Sequence, residues 1–418
     1  MGEPHESRIP DCESRLRALI RNDGPITVAA FMQLALYDSS FGYYARAARR
    51  SGRAGDFFTS VDVGPLFGEL LEVQLAEMWE VLAGLRPQAS PEARGPKPEA
   101  RPEARGSKPE AWFDLVEAAA GNGRLSADIL RVARRRDPAF YDALRLHLVE
   151  VSPEARRAQR DALGEVSDRL VSSAPDLPDS FEGALIANEL LDALPVHQVV
   201  MREDGLREVY VDVARPLQDR HRDTDSPARP LVAAEGPPST PDLQAYLDRL
   251  GVTLEPGWRG EINLDAAAWV RDAARRLRRG FIILIDYGHE ARYLYSASHA
   301  GGTLTTYARH RSDGPESASA TPPWLQQPGE RDITSHLDFT SVRAAAEDEG
   351  LTTLGFLDQT YFVLGLLEQG GEGSRLPSLA LKTLMMPGGL GSTHKVLILG
   401  KGVGAPVLQG CAFRMRVT

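Results

Sequence analysis

Apolar positions along this chain fall into two alternating patterns: short continuous runs, and longer stretches in which they recur at three- and four-residue spacing. Trp112-Phe113-Asp114-Leu115-Val116-Glu117 is a short apolar run that predicts a strand leading into a glycine-containing turn. Arg124 to Arg134 then carries Leu125, Ile129, Leu130 and Val132 at near-helical spacing, which predicts a helix. Further strands are predicted at Leu144 to Val151, Gly183 to Ala187, Gly280 to Asp286 and Lys395 to Leu399, each followed by polar or turn residues. Leu16, Leu19 and Ile20, then Val28, Phe31, Met32 and Leu36, read as the inner faces of two short N-terminal helices. Apolar strands separated by helical stretches predict a doubly wound α/β fold, a mostly parallel sheet covered on both faces. Ligands in such folds sit at the carboxyl ends of the strands.

Three stretches break the pattern. Residues 86–111 repeat Pro-Glu-Ala-Arg-Gly at Pro91 and Pro102, with Lys-Pro-Glu-Ala units at Lys97 and Lys108, and read as a low-complexity, solvated insert. Pro216 to Pro241 and Ser312 to Pro328 read as further excursions. The expected organisation is an N-terminal helical segment (1–85), the insert (86–111), a first part of the core (112–200), an inserted lid region (201–279), a second part of the core (280–402) and a C-terminal tail (403–418).

Composition narrows the class. Of 418 residues, 42% are hydrophobic and 25% charged, the balance of a globular chain with ample core. A formal net charge of −10 gives no whole-surface attraction to nucleic acid or anionic lipid. Cys12 and Cys411 lie near opposite ends and supply neither a disulfide framework nor a cysteine-based zinc site. The N-terminal residues lack a basic segment followed by an apolar one, and no apolar run approaches a membrane span, so a cytoplasmic protein without membrane insertion is the expectation.

Candidate chemistry gathers at the predicted strand ends. Glu117 to Leu125 follows a strand and opens a helix; glycines there let a ligand approach the backbone, and amides at a helix start favour an anionic group. Ser126 stands where a dinucleotide fingerprint needs its third glycine, and Glu117 would repel phosphates while suiting a cation. A plain strand-to-helix turn is the competing reading. Glu150 ends the second strand, where a carboxylate can take two ribose hydroxyls; it also reads as a solvated acid before a helix with Ser152 as cap and Pro153 first. Asn188, Glu189 and Asp192 cluster after the third strand and could bind a cation or accept a proton, or merely cap a helix. His197, His310 and His336 show no metal-ligand spacing. Asp332 to Phe339 reads as a helix start capped by Thr334 or Asp332.

Several of these motifs, in order, resemble one family. Gly42-Tyr43-Tyr44, Gly55-Asp56-Phe57-Phe58-Thr59-Ser60, Leu66-Phe67-Gly68-Glu69-Leu70, the Glu117 turn, Glu150-Val151-Ser152-Pro153, Asn188-Glu189 with Asp192 to Val196, Ile285 to Gly288, and Asp332 to Phe339 follow one another as in the MidA-like methyltransferases. That family includes the mitochondrial complex I assembly-factor protein-arginine methyltransferase. The resemblance runs from about Gly24 to Gly402. It implies a class I, Rossmann-like sheet of about seven strands with Lys395 to Gly400 as an antiparallel member, and S-adenosyl-L-methionine as cofactor. It further implies that Gly121 and Gly123 pass beneath the methionine part, with Glu117 near its ammonium and Glu150 on the ribose. Asn188 and Glu189 would line the methyl-transfer site, with Asp56 and Thr59 closing over it. One departure is Ala119, where the family turn usually has its first glycine; alanine fits if φ there is negative.

An arginine acceptor keeps its proton until very high pH, so carboxylates must orient it and receive the proton; Glu189 and Asp192 are the expected pair, with Asp56 third. The implied partner is a protein, in the resemblance's terms a respiratory complex I subunit, with no oligomeric state indicated. Competing readings are a catalytically weak assembly factor that holds such a subunit and a small-molecule methyltransferase.

Overall fold

The computed structural model describes residues 12–46, 59–86, 112–214, 229–308, 311–314, 321–367, 379–386 and 390–413. The insert from residue 87 onward, Asp56, His310 and parts of the two other proline-rich excursions lie outside the described residues.

Contacts divide the chain into two units, each assembled from separate stretches of sequence. The larger, residues 59–190, 268–287 and 342–418, is built on seven strands. These are β1 (Phe113–Ala118), β2 (Leu144–Val149), β3 (Leu170–Ala174), β4 (Phe181–Asn188), β5 (Leu277–His289), β6 (Thr352–Asp358) and β7 (His394–Lys401). They lie in the order β3-β2-β1-β4-β5-β7-β6. Pairings from β3 to β5 are parallel, whereas β7 runs antiparallel to both of its neighbours. Every residue of β1 is buried, as a strand covered on both faces requires.

Between β1, β4 and β5 the sheet admits no side chain at one row. Asp114 pairs with Gly183, which pairs with Gly280; a Cβ on Gly183 would lie 2.2 Å from the Asp114 carbonyl oxygen, and one on Gly280 2.0 Å from that of Gly183. These two glycines keep the central strands in register at the end away from the candidate site.

Helices cover the sheet. Helix α1 (Leu66–Leu82) buries Phe67, Leu71, Leu75 and Met78, and α2 (Arg124–Arg136) buries Leu125, Ile129, Leu130 and Ala133, both at the three- and four-residue spacing of an inward face. Three arginines in the last turn of α2 complement its dipole. Helix α3 (Pro153–Leu163) starts as expected, with Ser152 Oγ accepting the Ala155 N–H and Pro153 in the first position.

The smaller unit, residues 1–58, 191–267 and 288–341, holds an antiparallel sheet. Gly205–Val213 is flanked by Ile26–Thr27 and His197–Arg202, Arg259–Ile262 follows, and Leu231–Gly236 also pairs with Gly205–Val213. The two N-terminal helices are present at Cys12–Asp23 and Val28–Tyr37, and Leu16, Ile20, Phe31 and Met32 join Val200, Val209 and Val211 in one core.

One boundary differs from the sequence reading. Asp332–Thr334 is a strand, and the following helix begins at Phe339. Its cap is Asp338, whose carboxylate accepts from the Thr340 N–H and the Ser341 hydroxyl. The Asp332–Thr334 backbone is consumed by pairing with Thr305–Tyr307, so neither Asp332 nor Thr334 can start a helix. No helix among the described residues is long and apolar enough to cross a membrane.

Candidate active site

Three acids stand at the carboxyl ends of β2, β1 and β4, which are adjacent in the larger unit's sheet. Glu117, on β1, is buried, and its Oε2 accepts from the Ser126 N–H at 3.1 Å and from the Ser126 hydroxyl. Burial pushes the Glu117 carboxyl up to about 7; the Ser126 donors pull the other way, and the charges of Glu150 and Asp128 add to the rise. The missing third glycine of the turn is therefore replaced by a serine that holds this acid.

The turn after β1 is left-handed at three points: Ala119 (φ 57°), Gly121 (φ 50°) and Gly123 (φ 80°). The condition under which alanine would fit at 119, a negative φ, is not met. An L residue there carries a backbone cost on the order of 1–2 kcal/mol. Above Gly121 there is open space, with nothing within 4 Å of an ideal Cβ, as backbone exposed to a ligand requires. The Gly121 N–H donates to Glu150 Oε2 at 2.9 Å, and the Ser152 N–H to Glu150 Oε1 at 2.7 Å. Gln159 Nε2 holds the Gly121 carbonyl at 2.8 Å. The glycine turn and the acid ending β2 are thus one hydrogen-bonded assembly.

The end of β4 is also strained. Glu189 has φ 52°, its N–H bonded to the Ile285 carbonyl at 2.8 Å. Its Oε1 accepts from the Ser60 N–H at 3.0 Å and from Asn188 Nδ2 at 3.2 Å, and His394 Nε2 lies 3.7 Å away. Because Asn188 Nδ2 is committed to Glu189, its Oδ1 is the outward acceptor; that atom is buried with no hydrogen-bond partner. Such an atom awaits a donor.

Residues 59–63 form a turn fastened on two sides. Besides the bond from the Ser60 N–H to Glu189, the Ser60 hydroxyl bonds Gln359 at 3.2 Å. Thr59 N–H and Oγ1 both donate to Asp62 Oδ2, at 3.1 and 3.0 Å, so the Thr59 hydroxyl is spent within its own turn. Arg124, the first residue of α2, pairs with Asp62 at 3.4 Å and donates to the Val61 carbonyl.

The larger unit therefore brings together Glu117, Gly121, Gly123, Glu150, Asn188, Glu189 and Thr59. Asp192 counts with the smaller unit, where it is buried and its carbonyl accepts the Ser335 N–H at 3.0 Å. Sequence reasoning missed Asp62, Arg124 and His394. Thr59 and Asp62 carry the three-residue spacing of a capping box, and Arg124 adjoins the glycine turn, so both had a local signal. His394 had none. His197 is engaged by Glu208, Nδ1 to Oε1 2.7 Å.

This donor set is acceptor-rich: the Glu117, Glu150 and Glu189 carboxylates and the orphaned Asn188 carbonyl oxygen. It fits a cationic ligand bearing hydroxyls and disfavours a polyphosphate. Acids at adjacent strand ends around an open glycine turn, on this sheet, mark the ligand site of a doubly wound α/β protein.

The comparisons carry the assignment further. Residues 103–357, more than half of the chain, match the family described as "Putative S-adenosyl-L-methionine-dependent methyltransferase". The chain belongs to this family, and S-adenosylmethionine is its cofactor. It is 29% identical to the mouse (Mus musculus) protein named protein arginine methyltransferase NDUFAF7, mitochondrial, over 89% of this chain and 80% of that one. It is 27% identical to the Drosophila melanogaster homolog over 80% of this chain and 70% of the other. A Burkholderia thailandensis crystal structure bound to S-adenosyl-homocysteine superposes with a TM-score of 0.78 at 26% identity, covering 96% of this chain and 94% of that one. The expectation of a cytoplasmic protein is overturned by the mouse and Drosophila relatives, which are named as mitochondrial.

Ala119→Gly should relieve the left-handed strain and stabilise the protein by about 0.5–1 kcal/mol in denaturant unfolding, the αL cost less glycine's greater freedom in the unfolded chain. A loss of stability would contradict strain at Ala119, whose side chain is exposed.

Proposed function

We propose that the site transfers a methyl group from S-adenosylmethionine to the guanidinium of a protein arginine. The single observation that carries this reading is the Asn188-Glu189 pair, a buried unpartnered carbonyl oxygen beside a carboxylate fixed at a strained strand end. Acceptor oxygens so placed suit a planar group made only of N–H donors. The names of the relatives, protein arginine methyltransferases, support the same substrate class. A respiratory complex I subunit is the first acceptor to test.

The strand order, with one antiparallel strand between β5 and β6, supports a class I core. The cofactor supplies a methyl group on a positively charged sulfur. Glu150, its two oxygens fixed by the Gly121 and Ser152 amides, accepts the two ribose hydroxyls. Glu117 faces the ammonium, and Gly121 leaves room for the methionine part, whereas Gly123 packs against Leu148 and Gln159. Asn188 Oδ1 and Glu189 hold the acceptor nitrogen in line. As the C–N bond forms and the C–S bond breaks, the electron pair leaves with sulfur and Glu189 takes the proton released by the guanidinium. Positioning supplies most of the acceleration in such an in-line displacement.

Glu189→Gln should leave affinity for S-adenosyl-homocysteine within about threefold and lower kcat on arginine-containing substrate by about 100-fold or more. Parallel loss of both would remove Glu189 from the acceptor side and make it a cofactor ligand. The assay is label transfer from methyl-labelled cofactor to complex I subunits, with free small-molecule acceptors run beside them.

Glu117 gives a pH dependence. With its carboxyl at about 7 in the free protein, its ionised fraction rises from roughly a tenth at pH 6 to nine-tenths at pH 8, so S-adenosyl-homocysteine should bind about tenfold more tightly at the higher pH. The stability sign is opposite. The folded protein holds that proton more tightly than the unfolded chain, so this contribution is full below the ordinary carboxylate value of 4.5 and is lost as pH rises through 7. Calorimetry across this range checks the first statement; a profile equally steep in Glu117→Gln would contradict the assignment.

A further inference from the structure

Three histidines far apart in sequence meet in the smaller unit: His289 at the end of β5, His299 on the short 3-10 turn Ala297–His299, and His336 just before the strand Leu337–Asp338. Each offers a ring nitrogen, and these nitrogens all lie within 4.8 Å of one another. The ring centroids are 4.9, 5.3 and 5.8 Å apart.

These separations can be compared with what a metal would impose. With metal–nitrogen bonds of about 2.0–2.1 Å at tetrahedral angles, and ring nitrogens roughly 1.15 Å from their ring centres, three coordinating imidazoles would have centroids roughly 5.2 Å apart. The observed values bracket this figure. Their nitrogens would have to close to about 3.4 Å in that geometry.

The surroundings hold the rings as ligands need to be held. His299 Nδ1 lies 2.9 Å from the Tyr293 carbonyl oxygen, which can only accept, so Nδ1 carries the proton and Nε2 carries the lone pair. His289 is placed by the pairing of its strand with Leu337–Asp338, in which it lies opposite Asp338. The His336 N–H donates to Thr303 Oγ1 at 3.1 Å, and Thr303 is itself fastened to the buried Glu261 by its N–H at 2.7 Å and its hydroxyl at 2.9 Å. All three residues are partly exposed.

We infer that His289, His299 and His336 form a binding site for one divalent transition-metal cation, zinc above all. Three imidazoles select zinc, cobalt, nickel or copper over magnesium and calcium, which prefer oxygen. A fourth position remains for water, and the ion would tie three separate segments of the smaller unit together.

The test uses full-length protein without a histidine tag, stripped of metal with a chelator and dialysed. Titration with Zn²⁺ by calorimetry should show one equivalent bound with a Kd below about 1 μM, and Co²⁺ should give the visible spectrum of a tetrahedral nitrogen-ligated ion. His299→Ala and His336→Ala should each weaken Zn²⁺ binding about 100-fold. Circular dichroism confirms that each variant is folded; if the more buried His336→Ala is not, His299→Gln takes its place. Absence of saturable Zn²⁺ or Co²⁺ binding by intact protein, or binding undiminished in folded His299→Ala, would overturn the site.

Discussion

The candidate site depends on carboxylates being held at strand ends by main-chain amides. Glu117 is held by the Ser126 N–H, Glu150 by those of Gly121 and Ser152, and Glu189 by that of Ser60. An acid held this way stays oriented without a lysine or arginine partner to cancel its charge, although Glu117, at about 7, carries its full charge only above neutral pH. The arrangement has a cost. Glu117 and Glu150 raise each other's energy across the turn, and Ala119 and Glu189 occupy left-handed backbone that side chains avoid. The cost is offset by the sheet behind, whose central strands are buried on both faces and whose Gly183–Gly280 row lets them close without a side chain between. A cationic cofactor would relieve the repulsion among the acids, so binding and fold stability are coupled at the same residues.

Much of this was legible in the sequence because the central strands are continuous apolar runs ending in acids. β1, β2, β4, β5 and β7 were all visible, as was the Ser152-Pro153 helix start. β3 was not: Leu170 to Ala174 is short, half-exposed and carries two serines, so neither periodicity nor hydrophobicity marks it. The antiparallel strands of the smaller unit were hidden because their positions are mostly only partly buried, without a continuous apolar run. Local signals also misled at Asp332–Thr334, where polar residues that favour helix caps are instead taken up in a strand pair.

The site was legible only in its strand-end half. Glu117, Glu150, Asn188 and Glu189 sit where strands end, and position alone nominated them. Ser60, Gln359 and His394 come from distant parts of the chain and reach Glu189 or its partners only through the fold. The three clustered histidines belong to the same category: their spacing of 10 and 37 residues in sequence corresponds to no ligand motif, and only the folding of the smaller unit brings the rings together. The distinction is physical. Strand ends and turns are encoded by neighbours in sequence, whereas convergence of side chains is encoded by packing.

The central claim is that the acid ending β2 holds the cofactor's ribose. Calorimetry of S-adenosyl-homocysteine binding to the intact protein and to Glu150→Ala tests it most directly, with thermal melting to confirm that the variant is folded. The account predicts micromolar binding by the intact protein and a loss of about 100-fold in the variant, the equivalent of two hydrogen bonds to a charged group. Equal affinity in the two proteins would contradict it.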